Sequence, residues 1–218
     1  MRLPQWMALG NIVLMAAVKA ASAAPGSEEL SRRIGSGDPV AGKEKSEAGR
    51  CQECHGVDGN SGDPRTPNHA GQYAGYLVKQ LNDFQTGART HAVMSVMAED
   101  LDASDIADIA AYFAAQEPMR GRDGSGKSSA RELFVNGDAS RAIPACVECH
   151  GENGEGRVKE DGSIAPILGG QRKVYLRAQL VAWKLGERRN SPGGVMSEAA
   201  QHLNEDDINA LADYLSGL

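Results

Sequence analysis

Cysteine is scarce in this chain, with four residues in 218. All four stand in two copies of one pentapeptide, Cys51-Gln52-Glu53-Cys54-His55 and Cys146-Val147-Glu148-Cys149-His150. None is left over for a disulfide framework or a free nucleophile. Aromatics are also few, at three Phe, two Trp and five Tyr, so a small domain built from this sequence has little bulk for its core. Basic charge is in deficit, with 23 Lys and Arg against 29 Asp and Glu, which argues against nucleic acid as a partner. No segment beyond the N-terminus is apolar enough to span a membrane, and strand signals are nearly absent.

What is present is the doubled C-x-x-C-H, the attachment site of a c-type haem. Two thiols three positions apart can each add to one vinyl group of the same porphyrin. The adjacent His then lies under the ring and donates a nitrogen to the iron. One structural zinc site made from both pairs would have to close over 95 positions, far beyond the usual ligand spacing. A thioredoxin-like pair needs neither the second copy nor the His. Two covalently bound haems c, on Cys51, Cys54, Cys146 and Cys149 with His55 and His150 as axial ligands, therefore use every cysteine. A porphyrin in each half would also supply the missing apolar core.

The N-terminus has the pattern of an export signal. Arg2 gives a positive start, an uncharged stretch runs from Leu3 to Val18, and Ala21-Ser22-Ala23 offers a cleavage site. The uncharged run has 16 residues, short of the ~20 a spanning helix needs. The expectation is a cleaved signal peptide over 1–23 and a periplasmic mature protein, consistent with haem attachment outside the bacterial cytoplasm. Residues 24–120 hold nine basic and 15 acidic side chains, and residues 121–218 hold 12 and 14. The acidic first half would suit a basic partner.

The chain is an internal duplication. Gly71-Gln72 matches Gly170-Gln171, Tyr76 matches Tyr175, and Gln80-Leu81 matches Gln179-Leu180. Gly87 and Arg89 match Gly186 and Arg188, Met94 matches Met196, and Asp105-Ile106 matches Asp207-Ile208. The offset grows from 95 to 99 and then 102, so the second half carries short loop insertions. Residues 24–116 and 129–218 are the expected domains, joined by a Gly-, Pro- and charge-rich linker over 117–128. Both are expected to be all-α. Helices are predicted over Ala41 to Arg50, Tyr73 to Phe84, Ser129 to Val135 and Lys173 to Leu185. A last helix in each half should be capped by Asp102 and Asn204, with Ile106, Ile109, Ala110 and Phe113 forming one apolar stripe.

The second axial position of each iron decides between ligand binding and electron carriage. Residues 151–218 contain a single methionine, Met196, in a Gly-Pro-rich loop seven residues before Leu203. The first half offers Met94, Met97 and His91. Met94 stands seven residues before Leu101, so the repeat selects it, and Met97, which aligns with Ala199, is expected in the core. His91 and His202 have no counterparts and are expected at the surface.

With these residues the chain resembles the dihaem cytochrome c4 family of class I cytochromes c. The resemblance rests on His55-Gly56-Val57-Asp58-Gly59-Asn60 and His150-Gly151-Glu152-Asn153-Gly154 after the cysteines. It also rests on the Ala70-Gly71-Gln72 and Gly169-Gly170-Gln171 turns, the methionine segments, and the run from Ala107 to Phe113. The resemblance implies two tandem class I cytochrome c domains related by a pseudo-twofold axis, each wrapped around a covalent haem, with propionates facing across the interface. It implies a carrier, not an enzyme, between a donor such as a quinol–cytochrome c reductase and an acceptor such as a terminal oxidase, and membrane contact only through a partner complex. The alternative is a dedicated cytochrome subunit of a dehydrogenase, such as a flavocytochrome c sulfide dehydrogenase. A dihaem peroxidase would need an open iron site, and a thiosulfate-oxidising dihaem enzyme a cysteine ligand that this chain cannot spare. The family pattern also assigns Pro67 and Pro166 as carbonyl acceptors for the haem-ligand histidines. One departure is His69, where the second half has Leu168. It could expose the haem edge, bond a propionate, or point to solvent.

Overall fold

The computed structural model describes residues 33–121 and 128–218. The expected signal peptide and linker residues 122–127 lie outside the described residues. The first half contains α1 (Pro39–Ala48), α2 (Cys51–His55), α3 (Ala74–Thr86), α4 (Met94–Ala98) and α5 (Ala103–Ala114). The second repeats the order with α6 (Ser128–Asn136), α7 (Val147–His150), α8 (Lys173–Leu185), α9 (Val195–Gln201) and α10 (Glu205–Ser216). In each half the last helix packs against the first and the middle one.

The last helices start where the sequence says. Asp102 accepts from the Asp105 N–H at 2.8 Å and Asn204 from the Asp207 N–H at 2.8 Å. The carboxylates of Asp105 and Asp207 reach back to close two capping boxes. Each half then clamps that acidic third position with a cation from an earlier segment. Lys45 of α1 lies 2.9 Å from Asp105 and 2.7 Å from Asp108, and Arg141 lies 2.6 Å from both Asp138 and Asp207. The predicted stripe of α5 is buried as expected.

The α1–α5 crossing is very close. A Cβ on Gly42 would fall 1.9 Å from the Asp108 carbonyl oxygen and 2.9 Å from the Tyr112 Cβ. Ala at a helix position gains about 1 kcal/mol over Gly, but overlap with a backbone atom costs about 1–3 kcal/mol or more, so the clash prevails. Gly42→Ala is expected to lower the melting temperature of the first half, by roughly 4–8 °C for each kcal/mol of net loss. Calorimetry of the holoprotein measures it, and an unchanged melting temperature would mean that α1 moves aside freely.

The two insertions in the second half have structural roles. The first forms a hairpin, β1 (Arg157–Val158) paired antiparallel with β2 (Ile164–Ala165). This element was not anticipated from the sequence, because strands of two residues carry no periodicity. It reaches the other half, since a Cβ on Gly75 of α3 would lie 2.6 Å from Ile164 Cδ1. The second insertion brings Asn190, whose amide donates to Gln80 at 3.0 Å and to Asp83 at 2.5 Å across the interface. The expected linker is also structured over its first residues. Met119 is buried and its N–H donates to the Ala70 carbonyl at 3.1 Å. Pro118 presses on Gly71 and Arg120 on Gly170, where any Cβ would come within 2.5 and 2.6 Å of them. Both glycines have left-handed φ, +66° and +74°, so two requirements select glycine there.

Candidate functional site

Each C-x-x-C-H segment forms a short helix that ends in a buried histidine. His55 and His150 are both 6% exposed. His55 Nδ1 lies 3.0 Å from the Pro67 carbonyl oxygen, and His150 Nδ1 lies 3.0 Å from that of Pro166. With Nδ1 carrying the donated proton, Nε2 of each ring is left free to bind a metal. Burial pushes both histidines below the usual imidazole range, against the opposing effect of the Pro carbonyl. The neutral ring is therefore favoured, as a ligand requires.

None of the four cysteines is in a disulfide. Burial raises Cys51, and it pushes Cys146 up to about 11, so before haem attachment both sites favour the protonated thiol. Two cysteines and a free histidine Nε2 per half, beside partly buried Leu168, Leu180 and Met196 in the second half, fit one covalently held porphyrin each.

Met94 is half-buried at the first position of α4, where its N–H and that of Val93 point to His91 Nδ1 at 3.3 Å. Met196 is half-buried near the start of α9, packs on the second core, and donates its N–H to Ser191 Oγ at 3.1 Å. Both methionines thus stand at the opening of a short helix, although Met196 was expected in a loop. His91 and His202 are exposed, as anticipated. Met97 is not a core residue: it is 40% exposed, and its neighbour Ala98 takes the buried position. Met97 falls on the outer phase of this five-residue helix, whose inner face carries half-buried Met94 and buried Ala98 four positions apart.

His69 does not point to solvent. Its ring stacks on His55 with centroids 4.0 Å apart and planes 25° from parallel, and Phe113 meets it edge-on at 5.5 Å. Burial, with the neighbouring His55 ring and the Arg89 guanidinium, holds it well below the usual range and therefore neutral. Leu168 stands at the matching position of the second half.

Sequence reasoning missed the interface between the halves. Arg89 donates to Gln80 of its own half at 2.8 Å, and to Tyr175 at 3.2 Å and Gln179 at 2.9 Å of the other. Arg188 donates to Gln179 of its own half at 2.6 Å, and to Tyr76 at 3.3 Å and Gln80 at 3.0 Å of the other. Each guanidinium also lies over an aromatic ring of its own half, Phe84 at 4.7 Å and Trp183 at 4.4 Å. Burial works to raise Tyr175, but the two guanidiniums outweigh it and bring the phenol below its usual range. A signal was available. Tyr, Gln and Arg recur at matching positions of both repeats although none is a candidate iron ligand, as a contact about a pseudo-twofold axis requires.

Comparison with known proteins places these features. The profile of the family described as "Cytochrome c" matches residues 39–116 and 131–218. The chain is 39% identical over 184 residues to a cytochrome c4 of Pseudomonas aeruginosa, covering 84% of this chain and 89% of that one. It is 37% identical over 177 residues to a thiosulfate dehydrogenase electron acceptor of Stutzerimonas stutzeri, covering 77% and 78%. The crystal structure of reduced recombinant cytochrome c4 from Pseudomonas stutzeri superimposes with a TM-score of 0.76 at 37% identity, covering 84% of this chain and all of that one.

Proposed function

Because the chain belongs to the cytochrome c4 family of cytochromes c, we propose that it is a periplasmic carrier passing electrons between respiratory proteins through two His/Met-ligated haems. It is a dihaem electron-transfer cytochrome with two covalently bound haem c groups. The haem iron supplies the one-electron couple. The chain's own residues attach it, ligate it and exclude water from it. Cys51 with Cys54, and Cys146 with Cys149, form the thioethers. His55 and His150 would each supply one protein ligand to an iron, and Met94 and Met196 the second. Thioether sulfur is soft and neutral, so it favours ferrous iron and raises the potential relative to a second His. Two protein ligands to each iron would leave no position for substrate, so transfer would be outer-sphere. The Pro67 and Pro166 carbonyls orient the imidazoles. The buried histidine–carbonyl pair, repeated at 3.0 Å in each half, supports this reading most. The Arg89–Arg188 pair, whose hydrogen-bond partners are amides and phenols, suits the anionic propionate edges of the haems. Residues 1–23 serve as the export signal.

Met94→Ala is expected to remove half of the far-red sulfur-to-iron absorption band of the oxidised protein, and Met97→Ala to leave it intact. The opposite pair of results would move the ligand to Met97. The donor on this reading is of the quinol–cytochrome c reductase type and the acceptor a terminal oxidase. The similarity to a thiosulfate dehydrogenase electron acceptor favours a second reading, a cytochrome dedicated to one dehydrogenase. Co-purification with a dehydrogenase at fixed stoichiometry would establish that reading, and isolation as a free chain the first.

A further inference from the structure

Two buried glutamines cross the interface to the backbone beside the other half's proline carbonyl. Gln171, 5% exposed, accepts from the Asn68 N–H at 2.8 Å and donates to the Asn68 carbonyl at 2.9 Å. Gln72, 3% exposed, accepts from the Ile167 N–H at 3.0 Å and donates to the Ile167 carbonyl at 3.0 Å. Asn68 directly follows Pro67 and Ile167 directly follows Pro166. Each glutamine therefore closes a two-point amide pair on the residue that follows the carbonyl engaged by the other half's histidine.

We propose that Gln171 is a positioning residue for the first haem and Gln72 for the second, each acting across the interface through the peptide that carries the histidine's acceptor. This rests on the axial roles of His55 and His150. A carbonyl aimed at Nδ1–H strengthens the imidazole as a donor to iron and favours the ferric state. Loosening the peptide weakens that bond and raises the potential of the haem in the opposite half. The two clamps are unequal. The Asn68 side chain donates to the Gly170 carbonyl at 3.0 Å and accepts from the Ser61 N–H at 2.9 Å. The Ser61 hydroxyl in turn donates to the Cys54 carbonyl at 2.7 Å. Ile167 has no side-chain equivalent, so the first haem is tied to the second half by the longer chain of bonds.

The test is an NMR-followed redox titration of the full holoprotein, with the methyl resonances of each haem tracked separately. Gln171→Ala is expected to raise the potential of the first haem and leave the second in place, and Gln72→Ala to do the reverse, with the smaller shift. A shift confined to the variant's own half, equal shifts of both haems, or no shift would overturn the inference. So would the same displacement in Asn190→Ala, which removes interface bonds elsewhere. If Gln171→Ala does not fold, Gln72→Ala decides alone. A wild-type protein without the sulfur-to-iron band would fail the ligation reading. A wild type with the band and no crossed shifts would fail the clamp.

Discussion

A chain with Cys146→Ser and Cys149→Ser together is expected to carry one haem in place of two and to lose the fold of its second half, while the first half stays folded. A domain of roughly 90 residues is stable by about 5–13 kcal/mol. Leu168, Leu180, Val181 and Met196 are only partly buried by protein atoms in the second half, and a porphyrin is what would complete their burial. An apolar side chain of this kind contributes about 1.5–3 kcal/mol when fully buried. Four of them losing part of that, with the apolar face of the macrocycle itself lost as well, match the whole stability of the half. The first half keeps its own ligands, capping box and Lys45 clamp. Haem content by pyridine haemochrome should halve, and the far-ultraviolet helical signal should fall by a similar fraction. Native helicity with one haem would show that the protein core of Phe134, Trp183 and Tyr214 suffices alone.

Much of this architecture was legible because chemistry with fixed geometry leaves short, local patterns. Two thiols and a histidine on one turn of helix appear as C-x-x-C-H, and a helix start appears as Asp102 or Asn204 three residues before an acidic partner. The duplication then carried information from the half with one candidate, Met196, to the half with three. Exposure within a short helix was not legible, because a segment as brief as Met94–Ala98 offers no repeating face, and Met97 was misplaced for that reason. The His69 stacking escaped because it depends on where the end of α2 meets the loop before α3. The interface escaped for another reason. Its residues lie far apart in sequence and follow the period of ordinary amphipathic helices, so their partners come from the other copy of the repeat. Only their polar identity in both copies marked them. The hairpin and Asn190 show the complementary case, in which insertions confined to one copy supply contacts with no symmetric counterpart.

Removing both arginines of that interface, Arg89→Ala with Arg188→Ala, is expected to separate the two halves without unfolding either. Arg188 is 8% exposed and donates to four acceptors, Gln179, Tyr76, Gln80 and Asn190. A hydrogen bond from a charged donor contributes about 1.5–3 kcal/mol, but bonds that share acceptors do not add. A single substitution should therefore cost about 2–4 kcal/mol, because the other arginine still satisfies Gln80 and Gln179. The double variant leaves the buried Gln80 and the half-buried Gln179 amide oxygens without a cation, which is why its effect should exceed twice that of one. The remaining side-chain ties include the glutamine clamps, the Asn68–Gly170 bond, the Ile164 contact and the Asn190 bonds, and each of them needs the halves already in register. Small-angle scattering should show a larger radius of gyration, and the electron exchange rate between the haems should fall, since tunnelling weakens steeply with distance. Each half should keep its low-spin spectrum, because no iron ligand lies in the network. A compact particle with unaltered exchange would mean that the linker over Pro118 to Arg120, wedged against Gly71 and Gly170, holds the halves together by itself.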